Sequence, residues 1–490
     1  MSFTSVLFVL VFLPLFAVAQ GLVRPARRFG LTLVASVLFL AVGQWTALPW
    51  LLGLALAGYA VGRRIAARLA SGRKATGWLW LGIGLNLGLL LAFKLLATYR
   101  PGPVDIGGLP LAGIALPLGL SYFTFQVIAY LVDVAAADIP AEQNVLRFIS
   151  YVLFFPKVAA GPITKYQAFA GQIGSLRPSA KDAVAGFGRI LVGEAKSVCI
   201  ARPLGVFAGE AFSRAHANLE PAVAWLVLVA GLLQLYFEFS GYTDIAIGLG
   251  RLIGIRLPEN FNYPFISQSI GEYWRRWHIT LIAWLREYVF FPLERHRLRW
   301  AGQPLNLLIV FLAAGLWHGP TPNFLLWGLL QGLAIAFEST AAGKAWLQMA
   351  WRPVRHLYVI LVILLSGVFF RSASLAYAGE FFRRLAGSRA GLDSAAAQAA
   401  PLALEPSLFV VLLVALVFSL PVKNRFLAWM EKLGAEHLPA VVASRNPVVA
   451  ALWEGKRWWL ASMAIVLAIF GLMFALAETV APARFTYAGF

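Results

Sequence analysis

Long apolar runs recur from residue 3 to residue 478 with only short polar joints between them, and this pattern leaves the chain few folds. Hydrocarbon offers no water to satisfy backbone N–H and C=O groups, so a spanning segment must be a helix or a strand of a closed barrel. Runs near the ~20 residues that a helix needs to cross are too long for barrel strands of ~9–11 residues. Composition agrees, with 60% hydrophobic and 13% charged residues. A soluble domain carries roughly 45–50% apolar residues. The chain therefore reads as an all-α polytopic membrane protein.

The formal charge of +19 does not make it a nucleic-acid binder, because the basic residues sit in short blocks between apolar runs. Arg24, Arg27 and Arg28 form one block, and Arg63, Arg64, Arg68, Arg73 and Lys74 form the next. The positive-inside rule puts both in the cytoplasm, where they suit anionic membrane lipid. The single cysteine, Cys199 between Val198 and Ile200, excludes an internal disulfide and a thiol metal cluster. It is expected to be a packed apolar residue, and no metal site is expected.

Residues 3–19 lack a basic leader and are followed by more apolar runs, so they read as a first membrane helix and not as a signal peptide. The stretch from Leu31 to Gly62 divides at "QWTALPW" into two helices that return the chain to the basic side. Further spans are expected at about 77–95, 111–134, 146–163, 184–208, 222–250, 304–318, 323–341, 356–371, 406–421 and 457–477. That gives 11 to 13 membrane segments, some re-entrant. Three regions follow: N-terminal helices over 1–110, a core over 111–372, and polar loops with further helices over 373–490. Of the two long joints, 373–405 reads as a flexible connection and 422–456 as a basic loop with an amphipathic helix. No internal repeat is visible. "GLGRLIG" (Gly248 to Gly254) misses dinucleotide spacing and suits helix packing by small residues.

Polar groups within apolar runs are then the informative residues, since each costs several kcal/mol in hydrocarbon and marks a site or pathway. Four clusters qualify: Gln126, Tyr130 and Asp133; Gln234, Glu238, Tyr242 and Asp244; His278 in "YWRRWHITLIAWLREYVFFPL"; and Asn306 with His318 in "NLLIVFLAAGLWHG". At about 100° per residue, Trp274, Trp277, Leu281, Trp284, Leu285 and Tyr288 share a helical face with Arg275 and Arg286 on its flank. On pattern alone this reads either as an interfacial amphipathic helix with His278 at its boundary or as a segment that carries His278 into a site. Pro304 and Pro320 bracket a helix of about 14 residues, ~21 Å long, too short to cross ~30 Å. His318 should therefore sit at a helix end inside the membrane, with Gly315 and Gly319 leaving room for a substrate. Neutral imidazole there suits a general base. His216, His296, His356 and His437 lie in polar joints or at helix starts and read as solvated or headgroup-facing.

The segment from "QLYFEFSGYTDIAIG" through "PENFNYPFISQSIGEYWRRWHITLIAWLREYVFFPL" to "LNLLIVFLAAGLWHG" resembles the membrane-bound O-acyltransferase (MBOAT) family, in its bacterial alginate O-acetyltransferase-like branch. "LPLGLSYFTFQVIAYLVDV", "FFPKVAAGPITKY", "GVFFRSASLAYA" and "FTYAGF" extend the likeness over most of the chain. The resemblance implies an MBOAT-like bundle around a central catalytic cavity, with His318 as principal catalytic residue and His278 as the second site position. Trp274, Arg275, Trp277 and Trp317 are then expected to line or support the site, and Asp244 and Asn262 to back it. Gln331 stands where the branch often has a further histidine. Implied as well are an unbound donor, acetyl-CoA or an acyl-carrier thioester, a polysaccharide acceptor, an extracytoplasmic partner acetyltransferase or periplasmic protein, and the bacterial inner membrane. D-alanyl transfer, acetylation of peptidoglycan or cellulose, a transporter and a non-catalytic scaffold are the alternatives.

Overall fold

Helices fill almost all of the computed structural model, which describes residues 2–99, 104–106, 109–111, 116–174, 176–213, 219–295, 302–389 and 404–422. In chain order they are α1 (Leu13–Leu22), α2 (Arg28–Gln44), α3 (Leu48–Ala70), α4 (Thr76–Tyr99), α5 (Leu120–Ala135), α6 (Val145–Leu153) and α7 (Phe155–Val158). There follow α8 (Tyr166–Ile173), α9 (Ala180–Ala195), α10 (Arg202–Ser213), α11 (Pro221–Ile253), α12 (Ile270–Arg276), α13 (Ile279–Leu285) and α14 (Phe291–Arg295). The last are α15 (Gly302–His318), α16 (Pro322–Ser339), α17 (Ala341–Met349), α18 (Arg352–Arg371), α19 (Leu375–Leu385) and α20 (Pro406–Phe418). A two-stranded antiparallel hairpin, β1 (Val104–Ile106) and β2 (Leu109–Leu111), is the one sheet among the described residues. It precedes the expected 111–134 span, meeting it only at Leu111, and the helix of that span begins only at Leu120.

Among the described residues four helices are long and apolar enough to cross a membrane alone, within Pro25–Val42, Thr76–Tyr99, Pro221–Ile253 and Arg352–Arg371. A fifth candidate is α16 with α17, bent by 82°. Other apolar segments are shorter or broken; the run expected at 146–163 stops as a helix at Leu153 and restarts for four residues at Phe155. The span at 457–477 and nearly all of the 422–456 joint lie outside the described residues. So do His216, His296 and His437.

Helices α2 and α3 are joined by a turn at 45–47, which brings the two basic blocks to the same end of the hairpin, as the charge pattern requires. Small residues set the closest contacts elsewhere. A Cβ on Gly241 would lie 2.7 Å from the Gly193 carbonyl and one on Gly248 2.6 Å from that of Gly186, so α9 and α11 meet backbone to backbone. "GLGRLIG" serves this packing. Cys199, expected inside, is exposed on the π-helical turn Lys196–Ala201 between α9 and α10, where the wider turn rotates it outward. The joint at 373–405 is not simply a flexible connection, since α19 occupies Leu375–Leu385 and buries Ala378, Phe381 and Arg384 on one face.

Candidate active site

The expected continuous amphipathic helix over 273–293 does not form. Helix α12 stops at Arg276, Trp277 turns extended at φ −105°, ψ 128°, and His278 takes a left-handed conformation at φ 47°, ψ 50°. The cause is the neighbouring "ENFN" segment, which meets it at a single bridge. Phe261 bridges Trp277, the Asn262 N–H donates to the Arg276 carbonyl at 2.9 Å, and the Ile279 N–H donates to the Asn260 carbonyl at 3.0 Å. A left-handed non-glycine residue costs roughly 1–2 kcal/mol. Asn260 offsets it, because its Oδ1 accepts the Thr280 N–H at 3.0 Å and the Thr280 hydroxyl at 2.9 Å, and lies 3.3 Å from His278 Nδ1. An oxygen that must accept from Thr280 can only accept from the imidazole, so Nδ1 carries the hydrogen and Nε2 keeps its lone pair. Nε2 lies 3.4 Å from the Tyr122 hydroxyl on α5.

The start of α12 is held as firmly. Ser269 caps it by accepting the Glu272 N–H at 2.9 Å, and the Glu338 carboxylate from α16 accepts the Ile270 and Gly271 N–H groups at 2.5 and 2.8 Å. An anion at a helix N-terminus meets unpaired donors and the positive end of the dipole. Trp274, Trp277, Leu281, Trp284 and Leu285 are all buried. The tryptophan face that suggests an interfacial anchor thus packs inside the protein.

His318 is the last residue of α15, as the bracketing prolines require. Its ring is boxed by Trp317, Phe370, Trp327 and Phe324, with centroids 4.7, 4.9, 5.0 and 6.0 Å away. The glycines beside it leave no open space. A Cβ on Gly315 would run into the Phe324 carbonyl and lie 3.4 Å from Gly328 Cα, and Gly319 abuts the Phe324 ring, so both serve the tight crossing of α15 and α16. Lys94, buried near the C-terminal end of α4, reaches the end of α15: its ammonium donates to the Trp317 carbonyl and, at 3.0 Å, to that of His318. The Tyr99 hydroxyl donates to the Pro320 carbonyl at 2.6 Å.

Both histidines line one cavity of about 70 Å³, walled by α11, α12, α13, α15, α16 and α18. Trp317 stands between them, 4.7 Å from the His318 ring and 6.5 Å from the His278 ring, so the imidazoles are no further apart than those two distances combined. Trp274 and Trp277 share the wall. Gln331 holds Trp274 in place, accepting its indole N–H at 3.0 Å and donating to the Ser366 hydroxyl at 2.7 Å.

Three expected site residues lie elsewhere. Arg275 is exposed, on the side of α12 away from the cavity. Asp244 is spent on structure: its two oxygens pair with Arg189 at 2.6 Å and Lys196 at 2.7 Å, tying α11 to α9. Asn262 pairs through its backbone with Arg276, and Asn260, two residues earlier, is the asparagine that reaches His278. His356 is not simply solvated, since its Nδ1 lies 3.0 Å from the Ser267 carbonyl. No group of three or more metal-ligating side chains occurs among the described residues.

Residues 116–369, from the start of α5 almost to the end of α18, match the family model for MBOAT, the membrane-bound O-acyltransferase family. The chain belongs to this family. It is a multi-pass membrane acyltransferase. Among its relatives are a protein of Pseudomonas putida named "Probable alginate O-acetylase AlgI", 36% identical over 78% of this chain and 79% of its own. The "Peptidoglycan O-acetyltransferase" of Helicobacter pylori is 32% identical over 79% of this chain and 80% of its own. The "Teichoic acid D-alanyltransferase" of Bacillus subtilis is 28% identical over 54% of this chain and 69% of its own. Lys94 lies outside the residues matched to the MBOAT model. The four polar clusters read from the sequence leave it out, although a lone lysine in the apolar run "LGLLLAFKLLATY" is the signal that marks it.

Proposed function

We propose that this acyltransferase moves an acetyl group from a cytoplasmic thioester, acetyl-CoA or an acyl-carrier thioester, to hydroxyls of an extracytoplasmic polysaccharide, working in the bacterial inner membrane. An extracytoplasmic acetyltransferase or periplasmic protein acts beside it as partner. The observation that carries this reading is the pair of imidazoles on one aromatic-walled cavity, each at an interrupted helix within the bundle. The relatives named for O-acetylation match more of the chain than those named for D-alanyl transfer, which favours acetyl.

In this mechanism His318 takes the proton of the acceptor hydroxyl as its oxygen attacks the thioester carbonyl carbon. The tetrahedral intermediate collapses, the C–S bond breaks, and the departing thiolate recovers that proton from the imidazolium. His278 orients the acceptor, its Nε2 lone pair accepting a hydrogen bond from a sugar hydroxyl and its ring angle fixed by Asn260. The aromatic walls exclude water that would hydrolyse the donor.

The test is acetyl transfer from labelled acetyl-CoA by the purified protein in proteoliposomes, with folding followed by size-exclusion chromatography. His318→Ala should lose roughly 10²- to 10⁴-fold in rate, the range of a lost general base. A folded His318→Ala protein with the wild-type rate refutes the assignment.

A further inference from the structure

His318 supplies a base and His278 orients the acceptor, but acyl transfer also builds negative charge on the acyl oxygen, and that charge needs a hydrogen-bond donor in a dry site. Gln331 of α16 lines the same cavity and is 1% exposed. Its amide cannot turn over. An indole nitrogen only donates, so the amide oxygen must be the atom that faces Trp274, at 3.0 Å. The amide nitrogen then donates to the Ser366 hydroxyl oxygen at 2.7 Å, and that hydroxyl donates in turn to the Ile363 carbonyl at 3.1 Å. One of the two amide hydrogens is committed in this way. The other meets no acceptor among the described residues. A buried N–H without an acceptor is costly and rare. Several neighbouring donors on the wall are already spent: the Trp274 N–H on Gln331, the His278 Nδ1–H on Asn260 and the Ser366 hydroxyl on Ile363. Arg371 has the Gly231 carbonyl and the charge of Glu238 as partners.

We propose that the uncommitted N–H of Gln331 is the oxyanion donor of the acyl transfer, which makes Gln331 a catalytic residue. The inference rests on the proposed base role of His318 and supplies the group that meets the developing charge. Trp327, one turn before Gln331 on α16, has its ring centroid 5.0 Å from that of His318, so the amide sits within a turn of the base. Direction fits as well. Helix α4 starts just beyond the second basic block, and Lys94 meets the end of α15 ~27 Å further along it, on the extracytoplasmic side. Helix α16 runs back from there, which puts Gln331 on the cytoplasmic side of Trp327, where a thioester arrives. As the acceptor oxygen bonds to the carbonyl carbon, the C=O electron pair moves onto its oxygen and the Gln331 N–H holds it. When the C–S bond breaks, the C=O bond re-forms and the thiolate takes the proton from His318. The amide gains and loses no proton. Leu228, Leu232, Leu235 and Ile363 keep the local dielectric low, which strengthens a fixed neutral donor.

Membrane vesicles holding the full-length protein would be given labelled acetyl-CoA, with transfer to the cells' own surface polysaccharide followed as initial rate per folded molecule. Gln331→Glu is the deciding variant. A carboxyl brings at most one proton where the amide brings two; Ser366 takes up that proton or donates its own, so both tethers survive and the spare donor is lost. Its kcat should fall roughly 10²- to 10³-fold, the effect of deleting one oxyanion donor, while KM for acetyl-CoA and the thermal melt stay near wild type. Gln331→Met fills the space with no proton to donate, and its kcat per folded molecule should fall at least as far. Ser366→Ala cuts the tether to α18 but leaves both amide hydrogens, and should lose less than about tenfold. Wild-type kcat in either folded Gln331 variant overturns the proposal. So does a loss in Gln331→Glu that appears only in KM or only as lost folded protein, or an equal loss in Ser366→Ala, which would make the glutamine a strut between helices. Failure of the base assignment is seen separately, as a folded His318→Ala protein that still transfers at the wild-type rate.

Discussion

Replacing Lys94 by methionine would keep most of the side-chain volume and remove the ammonium that ends α15. In the folded protein that ammonium donates to two buried carbonyls, those of Trp317 and His318. Hydrogen bonds from a charged donor contribute roughly 1.5–3 kcal/mol each. A cation at a helix C-terminus adds up to about 2 kcal/mol in buried geometry. Against these stands the desolvation of the ammonium itself, several kcal/mol that methionine does not incur. The opposing terms nearly cancel, so overall stability should change by no more than about 2 kcal/mol. Local order is different. Without the ammonium the last turn of α15 carries two unpaired carbonyls, each costing about 1–3 kcal/mol, and it can reduce that cost only by shifting. A misplacement of about 1 Å at a reacting group costs around 100-fold in rate. Lys94→Met should therefore lose 10- to 100-fold in kcat for acetyl transfer in proteoliposomes while its thermal melt moves little. Wild-type kcat, or an activity loss that merely tracks loss of folded protein, would refute the reasoning.

Asn260→Ala removes the acceptor shared by His278 and Thr280 and leaves the left-handed turn unsupported; a loss of roughly 2–4 kcal/mol in stability and a larger fall in kcat than in acceptor affinity are expected from melts and kinetics. Asp244→Asn removes the charge that Arg189 and Lys196 share, while Arg189 keeps Glu259 at 2.9 and 2.5 Å; it should cost about 1–3 kcal/mol, seen as a lower melting temperature, with kcat per folded molecule unchanged. Glu142, in the joint between α5 and α6, is pushed up by burial, but hydrogen bonds from Tyr166 and from the Asn144 and Gln143 N–H groups outweigh that and hold its carboxyl below the ordinary glutamate range. Its contribution is thus fully present above the unfolded value of about 4.3 and lost as pH falls through the lower folded value. Melting temperature should drop across that acid window in wild type, and Glu142→Gln should flatten the drop.

His318 could be located from the sequence because its constraints are local. Pro320 stops the helix whatever packs around it, and the end of α15 falls at the histidine, whereas its start lies at Gly302, two residues before Pro304, because proline is tolerated in a first helical turn. The membrane class was legible for the same kind of reason, since hydrocarbon imposes its length and polarity on each run independently. Helix length was less legible. Runs that look like single spans, such as 146–163, break where a side chain from another helix takes a backbone group, as the Ser36 hydroxyl accepts the Phe155 N–H at 3.1 Å.

The segment "YWRRWHITLIAWLREYVFFPL" shows where local reading fails. Its period of 3.6 describes a continuous amphipathic helix, and a helical wheel cannot know that Phe261 will pair with Trp277 and break it. The same pairing separates Asn260 from Asn262: in an extended strand alternate residues face alike, so which asparagine side chain meets His278 depends on the register against residues 276–279. Glycines were ambiguous for a related reason. Space beside Gly315 looked like room for substrate, and only the approach of Gly328 shows that a second helix fills it. By itself the sequence determined a helical membrane protein and placed His318 at a helix end, since covalent geometry and solvent act on each segment alone. Tertiary structure decided that His278 shares its cavity, that Asn260 and Lys94 hold the two histidines, and that Asp244 and Arg275 do not reach them, because those relations join residues from 18 to more than 200 positions apart, and only packing brings them together.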